Sequence, residues 1–195
     1  MNIGKFILLF TILLVQSCQS QKAAEREIFN ADFKWSITIP KNFENVSADE
    51  WSKLQNKGKI AIEDTYGEEI INNSKIIFVF KSDDLNYFES NYQPFDPSDG
   101  DYLATCEDVN QILYETFKAQ MPNAKIEKRT TTEIVDQLEF QKFEMEVEYP
   151  NKMVLHLLMY SRLFDEKEFS VNIMFVDKAK GAEMLDSWKK SKFSK

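Results

Sequence analysis

Alternation of apolar and polar residues across the second half of the chain is the feature that most limits its fold. Between residues 125 and 175, every second side chain is apolar over several runs, and turn residues such as Pro150 and Asn151 separate the runs. A period of two indicates β-strands with a buried face, and short turns favour antiparallel pairing. This half therefore predicts an antiparallel meander, whose inward positions are Phe143, Met145, Val147, Tyr149, Met153, Leu155, Leu157, Met159, Phe169, Val171, Ile173 and Phe175.

Helices are expected to cover this sheet on both faces. In the middle strand the alternate positions Val154, Leu158 and Tyr160 are also largely apolar, so neither face is left to water. Helical spacing of apolar residues predicts helices at about 47–67, 109–120 and 181–190. Strands are expected at 33–39 and 76–80, and an edge strand at 87–92.

The fold class that these elements predict is α+β, with a central, mostly antiparallel β-sheet flanked by helices. The order of elements is β-α-β-β-α-β-β-β-β-α. The chain has 195 residues and shows no internal repeat, which fits a single domain. We place that domain at residues 29–195.

The first residues resemble the leader of a bacterial lipoprotein. Lys5 precedes an apolar run over residues 6–15, which is too short to span a bilayer as a helix, and Ser17 and Cys18 follow it. A small residue before cysteine resembles the lipobox, which implies that Cys18 is acylated and becomes the first mature residue. An ordinary secretory signal with an incidental cysteine is the alternative. The prediction is a signal peptide at 1–17 and a lipidated, flexible tether at 18–28.

Two short motifs and the element order are similar to one known superfamily. The motifs are the residues 33–40, with the sequence FKWSITIP, and the residues 188–193, with the sequence WKKSKF. Together they resemble the PsbP-like superfamily, which includes bacterial lipoproteins of the DcrB and LpqN types. The chain also resembles lipoproteins of Bacteroidetes. The resemblance implies an α/β/α sandwich over residues 30–193 and a binding or assembly role. It supplies no catalytic residues.

An acidic, aromatic segment is the strongest charge feature. Residues 82–117 contain no lysine or arginine, and their carboxylates alternate with tyrosine and phenylalanine. Aromatic anchors and acidic steering groups suit the interface with a basic partner. A solvated loop with its aromatic residues turned inward is the alternative. The predicted partner-binding residues are Tyr87, Tyr92, Phe95, Asp96, Asp99, Asp101 and Tyr102.

Composition excludes several other functions. The net charge of −8 argues against nucleic-acid binding, and one histidine with two cysteines excludes a His/Cys zinc cluster. Residues 96–101 are interpreted as a plain Pro/Asp/Gly turn rather than a calcium loop. His156 is interpreted as a covered imidazole and Cys106 as a small packing residue, with a reactive thiol as the alternative for Cys106. No metal or cofactor is expected.

The sequence thus predicts a non-catalytic lipoprotein of the bacterial envelope that binds another envelope protein. No acidic run follows Cys18, which favours a domain facing the periplasm, with the lipid in the inner or outer membrane. A carrier or sensor of a small apolar ligand is an alternative, motivated by 16 Phe, 7 Tyr and 3 Trp. An immunity-type lipoprotein that neutralises a toxin is a further alternative.

Overall fold

The computed structural model describes residues 26–69 and 71–194, so the predicted signal peptide and Cys18 lie outside the described residues. The helices are α1 (Ala48–Tyr66), α2 (Tyr102–Gln120) and α3 (Lys178–Lys190), with one turn of 3-10 helix at Pro97–Asp99. The strands are β1 (Arg26–Asn30), β2 (Trp35–Ile39), β3 (Glu44–Asn45), β4 (Lys75–Asp83), β5 (Asn86–Pro94), β6 (Lys125–Val135), β7 (Leu138–Glu148), β8 (Val154–Phe164), β9 (Lys167–Phe175) and β10 (Lys192–Phe193).

Seven strands form the central antiparallel sheet, in the order β3-β4-β5-β9-β8-β7-β6. The predicted meander is confirmed as β6 to β9. Asp136 and Gln137 join β6 to β7 with φ angles of 48° and 70°, which is the left-handed backbone that a two-residue hairpin turn needs. The predicted α+β class and element order are confirmed, with β1, β3 and β10 as added short strands. The predicted domain boundary at residue 29 falls inside β1.

The expectation that residues 87–92 form an edge strand is wrong. These residues belong to β5, which lies between β4 and β9 inside the central sheet. The polar residues that alternate along β5 gave it the pattern of a strand with one face in water. In the fold that polar face lies under helices α1 and α2 instead.

A second, smaller sheet covers one face of the central sheet together with α3. It has the order β1-β2-β10, so the strand predicted at 33–39 pairs outside the central sheet, and helices alone do not cover both faces. Trp35, on β2, stacks on Phe78 with ring centroids 5.0 Å apart and on Phe193 at 6.1 Å. Trp188 of α3 meets Trp35 edge-on at 6.2 Å, and both indoles are fully buried. Aromatic packing thus joins the two sheets and α3.

Helices α1 and α2 cover the opposite face. Each begins at a side chain that accepts a backbone N–H: Ser47 accepts from Glu50 at 3.2 Å, and Asp101 accepts from Ala104 at 3.1 Å. Beneath α2, Phe143 of β7 lies in an apolar cluster with Leu113 and Phe117 packed against it. Among the described helices, none is both long and apolar enough to cross a bilayer.

Candidate functional site

Four carboxylates of the acidic segment are exposed to solvent at or near the start of α2. Asp96, Asp101, Glu107 and Asp108 are exposed, and none of them forms an ion pair with another described residue. Asp96 and Asp101 accept backbone N–H groups at helix starts, and these bonds lower the pKa of Asp96. Leu103, in the first turn of α2, has 54% of its surface exposed. We call these five residues the acidic α2 face.

The predicted aromatic anchors do not share this surface. Tyr87 meets Trp51 edge-on at 4.9 Å beneath α1, and Tyr92 packs against Phe33 on the other face of the sheet. Tyr87 and Tyr92 are half-buried.

Phe95 and Tyr102 are also half-buried and pack edge-on at 5.7 Å. Asp99 lies in the 3-10 turn, and its side chain lies outside the described part of the chain. The structure therefore does not bring the seven predicted residues together: the aromatic rings point inward, while Asp96 and Asp101 point outward.

Sequence reasoning missed a second polar cluster, on the inner face of the sheet beneath α1 and α2. Polar residues alternate along two paired strands, and the register places Glu89 opposite Asn172, Asn91 opposite Ser170, and Gln93 opposite Glu168. Because alternate residues of a strand share a face, these six side chains form one polar strip. The signal was present in the sequence as period-two polar residues on a sheet predicted to be covered on both faces.

Glu89 is buried and held by neutral donors. Its Oε1 accepts from Trp51 Nε1 at 3.2 Å, Gln55 Nε2 at 3.4 Å and Asn91 Nδ2 at 3.2 Å, and its Oε2 accepts from Asn172 Nδ2 at 3.1 Å. Only 7% of the residue is exposed. Burial raises the pKa of Glu89, against the opposing effect of these four hydrogen bonds.

Glu168 is a second buried carboxylate, and it lies at the end of a chain of hydrogen bonds that begins at Tyr102 of α2. Glu168 Oε1 accepts from Ser161 Oγ at 2.7 Å, and Oε2 accepts from Gln93 Nε2 at 2.7 Å. Ser161 has one proton, which it gives to Glu168, so the Tyr102 hydroxyl 2.5 Å away donates to Ser161. Burial raises the pKa of Tyr102.

Cys106 lies beside this chain and is not activated. Its Sγ is 3.8 Å from Ser161 Oγ, and burial raises the pKa of the thiol. A nucleophilic cysteine needs the opposite shift, so the geometry favours Cys106 as a packing residue. His156 lies on the other face of the sheet, where its ring stacks on Phe175 at 4.7 Å and its Nδ1 is 3.2 Å from Glu146 Oε1. Cys106 and His156 therefore cannot act together.

A cleft of about 170 Å³ lies between α2 and the polar strip. Its lining combines polar residues of the strip with apolar residues of α2, β7 and β8. The lining residues are Asn91, Gln93, Cys106, Val109, Asn110, Gln141, Phe143, Met159, Ser161, Glu168, Ser170 and Asn172. Across the described residues, no group of three or more His, Cys, Asp or Glu side chains is placed to hold a metal ion.

Comparison with known structures identifies the fold. The solution structure of cyanobacterial PsbP (CyanoP) from Synechocystis sp. PCC 6803 is similar, with a TM-score of 0.56 over 92% of this chain and 99% of that chain. The two sequences are 12% identical, so the likeness shows the fold alone. The fold is PsbP-like, as the resemblance of the sequence motifs implied. No protein-family model and no curated protein sequence matches the chain.

Proposed function

We propose that this protein is a non-catalytic binding module of the bacterial envelope that captures a basic envelope protein through the acidic α2 face. The observation that carries the proposal is the set of exposed carboxylates on that face that form no ion pair with another described residue. Uncompensated surface charge extends a field into solvent and speeds encounter with a partner of opposite charge. Leu103, one helical turn before Glu107, adds an exposed apolar side chain to the charged face.

Some other acidic side chains of the described residues have a basic partner close by. Glu133 lies 2.8 Å from Lys142 and 3.3 Å from Lys189, and Asp186 lies 2.6 Å from Lys190. Pairing of this kind leaves little net field. The carboxylates of the acidic α2 face have no such partner among the described residues, so their charge remains available to a basic partner.

Attachment to a membrane is the second part of the proposal. A lipid on Cys18 and a tether after it would hold the domain near the bilayer, facing the periplasm, as in DcrB/LpqN-like lipoproteins. Replacing the acyl-accepting thiol by Cys18→Ala is expected to move the protein from the membrane fraction to the soluble fraction. Continued membrane association of the variant after a high-salt wash would contradict the lipid anchor.

The aromatic residues that motivated a carrier of small apolar ligands have another explanation. They pack on one another in the core, as in Phe80 on Phe88 at 4.7 Å and Phe140 on Trp188 at 5.0 Å. We therefore favour protein binding. An immunity-type lipoprotein is a special case of this proposal, in which the basic partner is a toxin.

A site-specific crosslink tests the proposed contact. A photoreactive residue replaces Leu103 in the full-length lipoprotein, crosslinking is done in intact envelopes, and the partner is identified by mass spectrometry. The double change Glu107→Lys and Asp108→Lys is expected to reduce the yield of the identified partner at least tenfold, because it reverses the charge that faces that partner. Added salt should also reduce the yield of the unmodified face.

The matched control reverses two exposed acids on the opposite side of the central sheet, Glu27→Lys and Asp32→Lys. This control changes the net charge equally and is expected to leave the crosslink unchanged. Equal loss of crosslink yield in both double variants would show a general charge effect. An unchanged yield in the α2 variant would contradict the assignment of this face.

A further inference from the structure

We propose that the cleft between α2 and the polar strip binds the ammonium group of a small primary amine with a short methylene chain. The inference goes beyond the proposed function, because the site lies beneath α2 rather than on its acidic face.

The two buried carboxylates determine which end of each amide faces the cleft. Asn91 and Asn172 donate their Nδ2 groups to Glu89, and Gln93 donates its Nε2 group to Glu168. An amide has one NH₂ donor end and one carbonyl acceptor end. Since the donor ends are bound to carboxylates, the carbonyl oxygens of these three lining residues remain as acceptors. The cleft therefore offers carbonyl acceptors to a ligand that donates hydrogen bonds.

Two polar groups of the cleft have no partner within the described protein. Asn110, on α2, is only 9% exposed, lines the cleft, and makes no side-chain hydrogen bond to a described residue. Asn172 Oδ1 is buried and also lacks a hydrogen-bond partner. Buried polar atoms of folded proteins are nearly always satisfied. The unsatisfied Oδ1 of Asn172, which faces α2 and its largely buried Asn110, thus points to a polar ligand group in the cleft.

Among ligand groups that donate hydrogen bonds, the charge of the lining favours a cation. Glu168 contributes a carboxylate, and the lining includes no lysine, arginine or histidine. A positively charged donor satisfies the acceptors and compensates the carboxylate, whereas an anion would be repelled.

The size and the apolar wall of the cleft define the rest of the ligand. The cleft volume of about 170 Å³ is below the roughly 300–1,000 Å³ of sites for drug-sized ligands, so it suits a small molecule. Val109, Phe143 and Met159 supply an apolar side to the lining. A short alkyl chain fits against these residues while its ammonium group meets the acceptors. n-Butylammonium, with five non-hydrogen atoms, is a suitable probe.

Methyl NMR spectroscopy of the full-length protein in detergent, with labelled methionine methyl groups, tests the proposal. Met159 lines the cleft, while Met184 lies in the core on the opposite face of the sheet and serves as the internal control. Titration with n-butylammonium at pH 7 is expected to shift the Met159 signal to saturation and leave Met184 unchanged. n-Butanol and butyrate are expected to bind at least tenfold more weakly, because they lack the positive charge.

Two variants test the assigned residues. Glu168→Gln is expected to weaken amine binding at least tenfold, whereas Glu166→Gln, an exposed control two residues earlier, leaves it unchanged. Asn110→Leu fills the cleft from α2 without disturbing either carboxylate, and is expected to abolish binding in a folded protein. Binding retained by Asn110→Leu, no saturable shift of Met159, or equal shifts with butanol would each overturn the proposal.

The amine group has two possible sources, which the Leu103 crosslink distinguishes. If n-butylammonium lowers the yield of the crosslinked partner, the ammonium belongs to a lysine side chain of that partner. If the yield is unchanged, the ligand is a free amine. The titration itself uses no partner protein, so its failure leaves the proposal for the acidic α2 face standing.

Discussion

Two helical glycines show how differently a single added carbon acts at two positions of this molecule. A Cβ on Gly181 of α3 would lie 2.5 Å from the ring of Phe175, whereas a Cβ on Gly58 of α1 would meet no atom within 4 Å. Gly181→Ala is therefore expected to destabilise the fold by about 1–3 kcal/mol through overpacking. Gly58→Ala is expected to stabilise it by about 0.5–1 kcal/mol, because alanine loses less backbone entropy in a helix.

Urea denaturation of the two glycine variants, followed by circular dichroism, measures both effects. They should have opposite signs. Equal stability of Gly181→Ala and the unchanged protein would mean that the Phe175 ring moves aside without cost.

Glu89 predicts a pH dependence of stability. Because its folded pKa is raised above the ordinary value of 4.5, the folded protein keeps a proton that the unfolded chain releases. The contribution of Glu89 to the free energy of unfolding is most favourable below pH 4.5 and is lost as the pH rises from there to the folded pKa. The loss is about 1.4 kcal/mol for each unit by which the folded pKa exceeds the unfolded value. Glu89→Gln removes the titrating group, so the stability of the variant relative to the unchanged protein should increase with pH.

Urea denaturation at intervals between pH 4 and 8 measures this difference for Glu89→Gln. Glu107→Gln, on the exposed side of α2, serves as the control and should differ from the unchanged protein by a nearly constant amount. A constant difference for Glu89→Gln as well would show that its folded pKa is not raised.

At the scale of elements, the hairpin of β4 and β5 fixes the start of α3. Asn86, only 3% exposed, accepts the backbone N–H groups of Val176 at 3.2 Å and Asp177 at 2.9 Å, and donates to Asp83 at 2.7 Å. Lys180 of α3 reaches the same Asp83 at 2.7 Å. One buried amide thus connects two segments that are 91 residues apart in sequence.

Asn86→Ala is expected to cost about 2–4 kcal/mol, because it leaves backbone N–H groups without an acceptor. Hydrogen exchange should also become faster at the start of α3 than at the centre of β8. Asn123→Ala, at an exposed loop position, is the control and should change stability by less than about 0.5 kcal/mol. If both variants had the same stability, the bonds from Asn86 would not hold α3.

At the scale of the whole molecule, the two hydrophobic clusters share their strands. From β8, Leu158 and Tyr160 face the aromatic cluster, while Leu155 and Leu157 face the cluster under α2. Neither cluster can lose its packing while the other keeps these strands in place. We expect one cooperative unfolding transition.

Tryptophan fluorescence of a Trp51→Phe variant and far-ultraviolet circular dichroism check this expectation, since the remaining Trp35 and Trp188 report on the aromatic cluster and the dichroism on the whole sheet. Their midpoints in urea should coincide. Separate midpoints would show that the small sheet and α3 unfold independently of the central sheet.

Local sequence patterns predicted which helices and strands form better than they predicted which of these elements lie side by side. The period-two runs of β6 to β9 and the helical spacing in α1, α2 and α3 are visible within short windows, and short turns determine which strands pair. Strands β3 and β10 have two residues each, which is too short for a period to appear. The place of β5 was missed because its partner β9 is distant in sequence.

The candidate site shows the same division. The sequence alone determined the acidic run around the start of α2, the alternating polar residues of β5 and β9, and the order of helices and strands, because each depends on neighbours along the chain. Only the tertiary structure decided that the aromatic residues of that run turn inward. It also decided that Gln93 meets Glu168, 75 residues away, beneath α2. Alternation fixes which side chains share a face, but long-range packing determines whether that face meets water or a helix.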